Sequence, residues 1–248
     1  MIKFFRHIRK NLLMENKKSK YFKYAIGEII LVVIGILIAL SINNWNELRK
    51  ERLNEGEILK TLNEEFSRNN ITLDSTLILI KRTENALRVV LQSIQPKPQL
   101  NYTPIQLDSL LNYTLSNPYW SRSEYTLRNL ESSGKLSTLS NEELKSKLYE
   151  WSIIATNIND KDEDATFGFN HLLNYYKENG SLRNLDAFHV ISTEGRTSLA
   201  YNHVKLFSDI VFENAIDDFL VFIRQRIERY SSAKVIIEQI LEITKNDS

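Results

Sequence analysis

The chain has no cysteine, four prolines and seven glycines among its 248 residues. The missing cysteines exclude disulfides, thiolate metal sites and cysteine nucleophiles, but do not exclude an oxidising compartment. All four prolines fall between Pro96 and Pro118. The long proline-free tail, rich in Leu, Glu, Lys and Asn, favours helices. There is no G-x-S-x-G, no Walker loop, no dinucleotide fingerprint and no HExxH. No enzyme is therefore expected, and no cofactor. The formal net charge of +1 hides an asymmetry: residues 1–24 carry +7, which leaves −6 on the remainder, so the folded part offers no basic face of the kind that binds nucleic acid.

What the chain does have is one long apolar run. Ala25 to Ile42 reads AIGEIILVVIGILIALSI, with Glu28 as its single ionisable side chain. As a helix it extends about 27 Å, close to the ~30 Å hydrocarbon core of a bilayer. This is the reading of a single transmembrane helix. Tyr21, Tyr24 and Trp45 bracket it as interfacial aromatics do. Gly27, Gly35 and Ala39 share a stripe, and Gly35-x-x-x-Ala39 is a small-residue step that lets helices approach. Glu28 lies one turn inside the cytoplasmic end. It reads as a snorkelling or ion-paired carboxylate, with a functional proton or partner site as the alternative.

Residues 1–24 carry eight Lys or Arg and one acid. Ile2, Phe5, Ile8 and Leu12 recur at helical spacing between the basic residues. That pattern is an amphipathic arm on anionic membrane lipid, or else a solvated basic tail that only sets topology. The positive-inside rule keeps this arm cytoplasmic and exports the rest. The expected localisation is the inner membrane, single-pass, with a periplasmic C-terminal domain. A cleaved signal peptide is the rival, since Ala39-Leu40-Ser41 resembles a cleavage site. The long basic lead and the lack of a polar c-region favour an uncleaved anchor.

The expected fold is all-α: one transmembrane helix followed by an exported helical bundle with long heptad-patterned helices. The division is 1–24 for the arm, 25–42 for the span, 43–95 for a stalk-like helix and 96–248 for the bundle. From Trp45 to Gln95, positions Leu59, Leu62, Phe66, Asn69, Leu73, Thr76, Ile80, Thr83, Leu87, Val90 and Ile94 step 3-4-3-4. The polar Asn69, Thr76 and Thr83 suit a helix with local polar partners, and a break near Asn69-Asn70 is open. Pro96 to Asn101 is a loop. Thr103-Pro104-Ile105-Gln106 is a helix start, with Thr as N-cap and Gln at the third position, leading to about Ser116. Arg122 to Glu131 ends at Ser133-Gly134. Ser140-Asn141-Glu142-Glu143 reads as a second capping box, opening a helix to Asn179-Gly180 that bends at the acidic patch or runs through it. Residues 181–200 are irregular or in short helices. The last helix begins near Asn202, with Ile216, Leu220, Ile223, Ile227, Tyr230, Lys234, Ile237, Leu241 and Thr244 repeating 4-3. The two heptad-patterned helices pair with each other or with another chain; periodicity does not separate these.

Four side-chain sets bear on chemistry. Asp160-Lys-Asp162-Glu-Asp164 opens like a calcium loop, but Ala165 and His171 stand where the loop needs Gly and Glu. A solvated acidic turn is the expectation. His171, His189 and His203 lack zinc spacing. Tyr119, Trp120, Trp151, Tyr175 and Tyr176 line a ligand pocket or, as is commoner, form core. Glu194-Gly195-Arg196 reads as a turn.

Several stretches carry a resemblance: Met1-Ile2-Lys3-Phe4-Phe5-Arg6, Tyr24 to Ile29, Val32 to Leu40, Ile42 to Glu47, and Leu130-Glu131-Ser132-Ser133-Gly134-Lys135-Leu136. Together they are similar to the opening and an internal Ser-Ser-Gly motif of a domain-of-unknown-function family of single-pass membrane proteins from Gram-negative bacteria. The resemblance implies an inner-membrane protein with a periplasmic helical domain, and it implies no activity. The expected role is an anchored interaction or scaffold module, with membrane lipid and a protein partner or self-association, no nucleic acid and no known small-molecule ligand. The alternative is a ligand-sensing module acting through a partner subunit that receives the signal.

Overall fold

In the computed structural model of the protein, residues 18–188 and 195–246 are described. Residues 1–17 of the basic arm, His189 and Glu194 lie outside them, as do the side chains of Tyr21 and Tyr24. Helix α1 is Lys18–Ser93, α2 is Pro104–Thr114, α3 is Tyr125–Ser132, α4 is Glu142–Asn179, α5 is Leu182–Asp186 and α6 is Ile210–Asn246. Tight helical turns occupy Lys135–Thr138 and His203–Ser208. No strand occurs among the described residues.

Each helix end has a local cause. Helix α1 stops before Pro96, because a residue preceding proline is pushed out of the helical region. The Gln95 N–H then turns to the carbonyl of Phe207 at 2.9 Å. The expected capping box at α2 is present: the Thr103 hydroxyl accepts from the Gln106 N–H, and Gln106 Oε1 accepts from the Thr103 N–H at 2.9 Å. Helix α3 starts at Tyr125, later than the expected Arg122. Its first turn is held from outside by Glu65, whose Oε2 accepts the Thr126 N–H at 2.8 Å. It ends at Gly134, whose φ of 71° is left-handed and suits glycine.

Two expected boundaries move. The cap of α4 is Asn141, one residue after Ser140: Asn141 Oδ1 accepts the Leu144 N–H at 2.9 Å. Helix α6 begins at Ile210, well after Asn202. Asn202 instead caps the His203–Ser208 turn, and Asp209 Oδ1 accepts the Val211 N–H at 2.8 Å to start the long helix. Helix α4 runs through the acidic patch without interruption, and α1 runs through Asn69-Asn70 likewise.

The chain divides into two compact units, 1–57 and 58–248. In the first, the described side chains from Ile29 to Asn54 are all exposed. In the second, α1, α4 and α6 enclose one apolar core. Helices α1 and α6 run antiparallel. Asn63 donates to Thr244 at 2.8 Å, Asp74 pairs with Lys234, and Glu84 pairs with Arg224 at 3.1 Å, so that one sequence number rises as the other falls. Helices α4 and α6 are also antiparallel: Asp162 meets Arg226, Gly168 lies against Phe219, and Tyr175 stacks on Phe212 at 5.3 Å.

Candidate functional site

The apolar window of α1 has a mean hydropathy of 2.8 over eighteen residues, and none of it is buried. Ala25 and Glu28 are half-buried; Gly27, Gly35, Ala39 and Ile42 are exposed, and Trp45 follows at 64% exposure. Each large aliphatic side chain left in water forgoes about 2 kcal/mol. The dozen large aliphatics exposed between Ile26 and Ile42 have about half of their surface in water, and together forgo roughly 10–15 kcal/mol, comparable to the ~5–15 kcal/mol that holds a domain together. The segment needs an apolar environment. It is long and apolar enough for that environment to be a membrane.

The chain belongs to a family of unknown function, DUF6090. The match covers residues 28–225, so the family takes in most of the apolar segment together with most of the packed unit. No curated protein and no solved structure matches the chain.

Within 58–248 the polar side chains gather in three places. The first is a buried ion pair. Arg226 is 0% exposed, and its Nε lies 2.9 Å from Asp162 Oδ1. That contact is an ion pair without hydrogen-bond geometry, whereas the terminal nitrogens donate to Asn117 Oδ1 at 2.8 Å, the Pro118 carbonyl at 3.0 Å and the Asp162 carbonyl at 3.1 Å. The Tyr230 hydroxyl donates to Asp162 at 2.8 Å and accepts the Trp120 N–H at 3.0 Å. Burial raises the Asp162 carboxyl above the usual range, against the pull of Arg226, Tyr230 and Arg122. Burial likewise lowers the Arg226 guanidinium, against Asp162. The middle of the acidic patch is therefore an internal counter-ion, not the solvated turn the sequence suggested. Asp164 pairs with Lys161 at 2.7 Å. No group of three or more metal-ligating side chains occurs among the described residues.

The second is a hub at Asp108, which is 1% exposed. It meets Arg196, the Tyr201 hydroxyl at 3.1 Å and His203 Nδ1 at 2.7 Å. His203 Nε2 accepts the Ser181 N–H at 2.8 Å, so the proton of the neutral ring belongs on Nδ1, facing the carboxylate. Both ring nitrogens are occupied, and the hub fastens the segment around 195–208 to α2. Of the other histidines weighed, His171 is exposed.

The third is an open cleft of about 320 Å³ between α3 and α4. Glu124, Arg128 and Glu131 form one wall, and Ser152, Thr156 and Asn159 the other. Arg122 stands behind it, donating to Glu124 at 2.7 Å and to Asn159 at 2.9 Å. Burial alone raises the Glu124 carboxyl, but Arg128 and Arg122 overcome it and hold the group below the usual range. The Ser-Ser-Gly motif ends α3 beside this cleft.

The aromatic set divides. Trp120, Trp151, Tyr175 and Tyr176 are core, and only Tyr119 is exposed, at 69%. Trp120 meets Trp151 edge-on at 5.9 Å, and Trp151 meets Phe66 at 5.3 Å. These rings fill space between helices, and two of them also border open clefts: Trp151 the one between α3 and α4, and Tyr175 one beside Tyr201 and Asp209. Sequence reasoning missed Arg226 and Asp108. A charged residue on an otherwise apolar helical stripe, as Arg226 is between Ile223 and Tyr230, was the available signal.

Proposed function

We propose that this protein is a membrane-anchored helical interaction module. One observation supports the reading above others: a helix that is exposed and apolar all round belongs to the same family unit as a packed helical body. In this reading the span sits in the inner membrane, and the basic arm stays cytoplasmic because eight Lys or Arg precede it. The packed unit then lies in the periplasm and meets a protein partner or a second copy. Asp108 and Arg226 each meet opposite charge from within the unit, as parts of a scaffold do.

The test uses the missing cysteines. A single cysteine at Tyr149, which is exposed, is treated with a membrane-impermeant maleimide in cells whose outer membrane has been permeabilised. Labelling supports export; labelling only after lysis refutes it. Photo-crosslinking from the same position in membranes then yields a discrete adduct if the unit is an interaction module. A single uncrosslinked band from every exposed position tried rejects that role.

A second reading, ligand sensing through a partner subunit, is favoured by the α3–α4 cleft. Thermal stabilisation of the protein by a small polar molecule, lost in Thr156→Trp, supports it.

A further inference from the structure

Hydrogen bonds tie the short helix α5 to the stretch that precedes α6. The Ser181 N–H donates to His203 Nε2 at 2.8 Å, the Thr197 N–H donates to Asn184 Oδ1 at 2.9 Å, and Arg183 Nε donates to the Gly195 carbonyl at 2.9 Å. Of these, the His203 contact is the one whose acceptor titrates near neutral pH. Ser181 matters to α5 because its carbonyl accepts the Asn184 and Leu185 N–H groups, which make the helix's first turn.

The imidazole is enclosed, with His203 only 2% exposed. From α2, Asp108 Oδ1 meets Nδ1 at 2.7 Å. Tyr201 lies beside the ring at 4.9 Å, and Arg196 pairs with the same Asp108 carboxylate. From the end of α4 the backbone closes in: a Cβ on Gly180 would lie 3.0 Å from Nε2. Lys177, Glu178, Arg183 and Asp186 at the adjoining helix ends are exposed, as is Lys205 on the ring's own turn. Asp209, before α6, is turned to Tyr175.

A neutral imidazole has one donor and one acceptor; the cation has two donors. With Nδ1 donating to Asp108, the neutral ring leaves Nε2 free to accept from Ser181. The Asp108 carboxylate also draws a second proton to the ring. That proton has to sit on Nε2, where it meets the Ser181 N–H donor against donor.

We propose that His203 is a proton-sensitive latch: the neutral ring holds α5 to the His203–Ser208 turn, and acid releases it by turning Nε2 from acceptor into donor. Helix α5 is then left on its Asn184 and Arg183 bonds, and its first turn loosens. The latch is a conformational device that does not depend on the interaction reading.

Hydrogen–deuterium exchange of the full chain in lipid nanodiscs tests it, at about pH 8 and about pH 5 and corrected for the chemical exchange rate. Protection over 181–186 is expected to fall about five-fold or more in acid, relative to 216–227 in the packed part of α6. His203→Asn keeps a donor for Asp108 but offers Ser181 no acceptor, so 181–186 should exchange fast at both pH values. Unchanged protection in the parent overturns the latch, and so does an equal acid-induced fall in His203→Asn. A measurement free of that variant uses the chain whose other three histidines are glutamine, labelled with nitrogen-15 histidine. The midpoint at which His203 gains its second proton should coincide with the midpoint of the loss of protection. Midpoints that differ by more than about one pH unit, a ten-fold difference in proton affinity, assign the loosening to another group and overturn the latch.

Discussion

The side-chain amide of Asn69 grips the backbone of Ser123 from both sides. Asn69 Nδ2 donates to the Ser123 carbonyl at 2.7 Å, and the Ser123 N–H donates to Asn69 Oδ1 at 2.8 Å. Asn69 lies on the apolar stripe of α1, where periodicity asks for leucine. Supplying it removes two partners at once from a chain segment wedged against α1. Asn69→Leu is expected to lower stability by about 1–3 kcal/mol, because two hydrogen bonds worth about 0.5–1.5 each are lost, while Ser123 itself is exposed enough for water to take them over. Urea unfolding with unchanged m-value measures it. A stabilised variant would show that the apolar stripe outweighs the clamp.

The ion pair between Asp162 and Arg226 makes a second case. Arg226→Met strands Asp162 and leaves Asn117 and the Pro118 carbonyl without their donor. A loss of roughly 3–5 kcal/mol is expected. Asp162→Asn leaves the guanidinium buried without a counter-ion and has a similar cost. The double variant is expected to lose clearly less than the two singles together, since neither charge is then stranded. Additive losses would argue against direct coupling.

Acid should act through Glu124. Its folded pKa lies below the ordinary value because of Arg128 and Arg122. The stability it contributes is present above the unfolded carboxyl pKa and is lost as pH falls through the folded one. Asp162 has the opposite sign: its carboxyl is raised on folding, so protonation favours the folded state as pH falls below that raised value. Unfolding titrations between pH 7 and 3 are expected to show Glu124→Gln less stable at neutral pH and flatter towards acid. A slope as steep as the parent's would remove Glu124 from the account.

Gly168→Ala opposes propensity to packing. Alanine favours the helix by up to about 1 kcal/mol. Its methyl, however, would press on the Phe219 backbone at 3.2 Å as well as on the Phe222 ring. The backbone of a neighbouring helix does not yield as a side chain does, so overpacking by about 1–3 kcal/mol should prevail. A thermal melt shifted downward is the expected result.

The fragment 45–248, lacking the apolar window, should be soluble and strongly helical by circular dichroism. A sheet-dominated spectrum would contradict the period assignments on which the helices rest.

These cases mark what the sequence made legible. The capping box at Thr103 and Gln106 was readable because its chemistry is complete within four residues. Asn141 was misjudged by one place, since Ser140 and Asn141 are both good caps and only the backbone decides between them. The late start of α6 was hidden because Asn202 does cap a helical turn, though a short one that Asp209 interrupts. Asp108 with His203, and Asp162 with Arg226, join residues 95 and 64 positions apart. No local pattern announces such pairs; they exist only once the helices have docked.

The antiparallel seating of α6 on α1 brings Thr244 beside Asn63. The first and last turns of the packed body thus share one end. A pull applied at that end would load the helix–helix contacts one after another, like opening a zip, instead of sharing the load along their whole length. The body should be mechanically soft in that direction, however high its melting temperature.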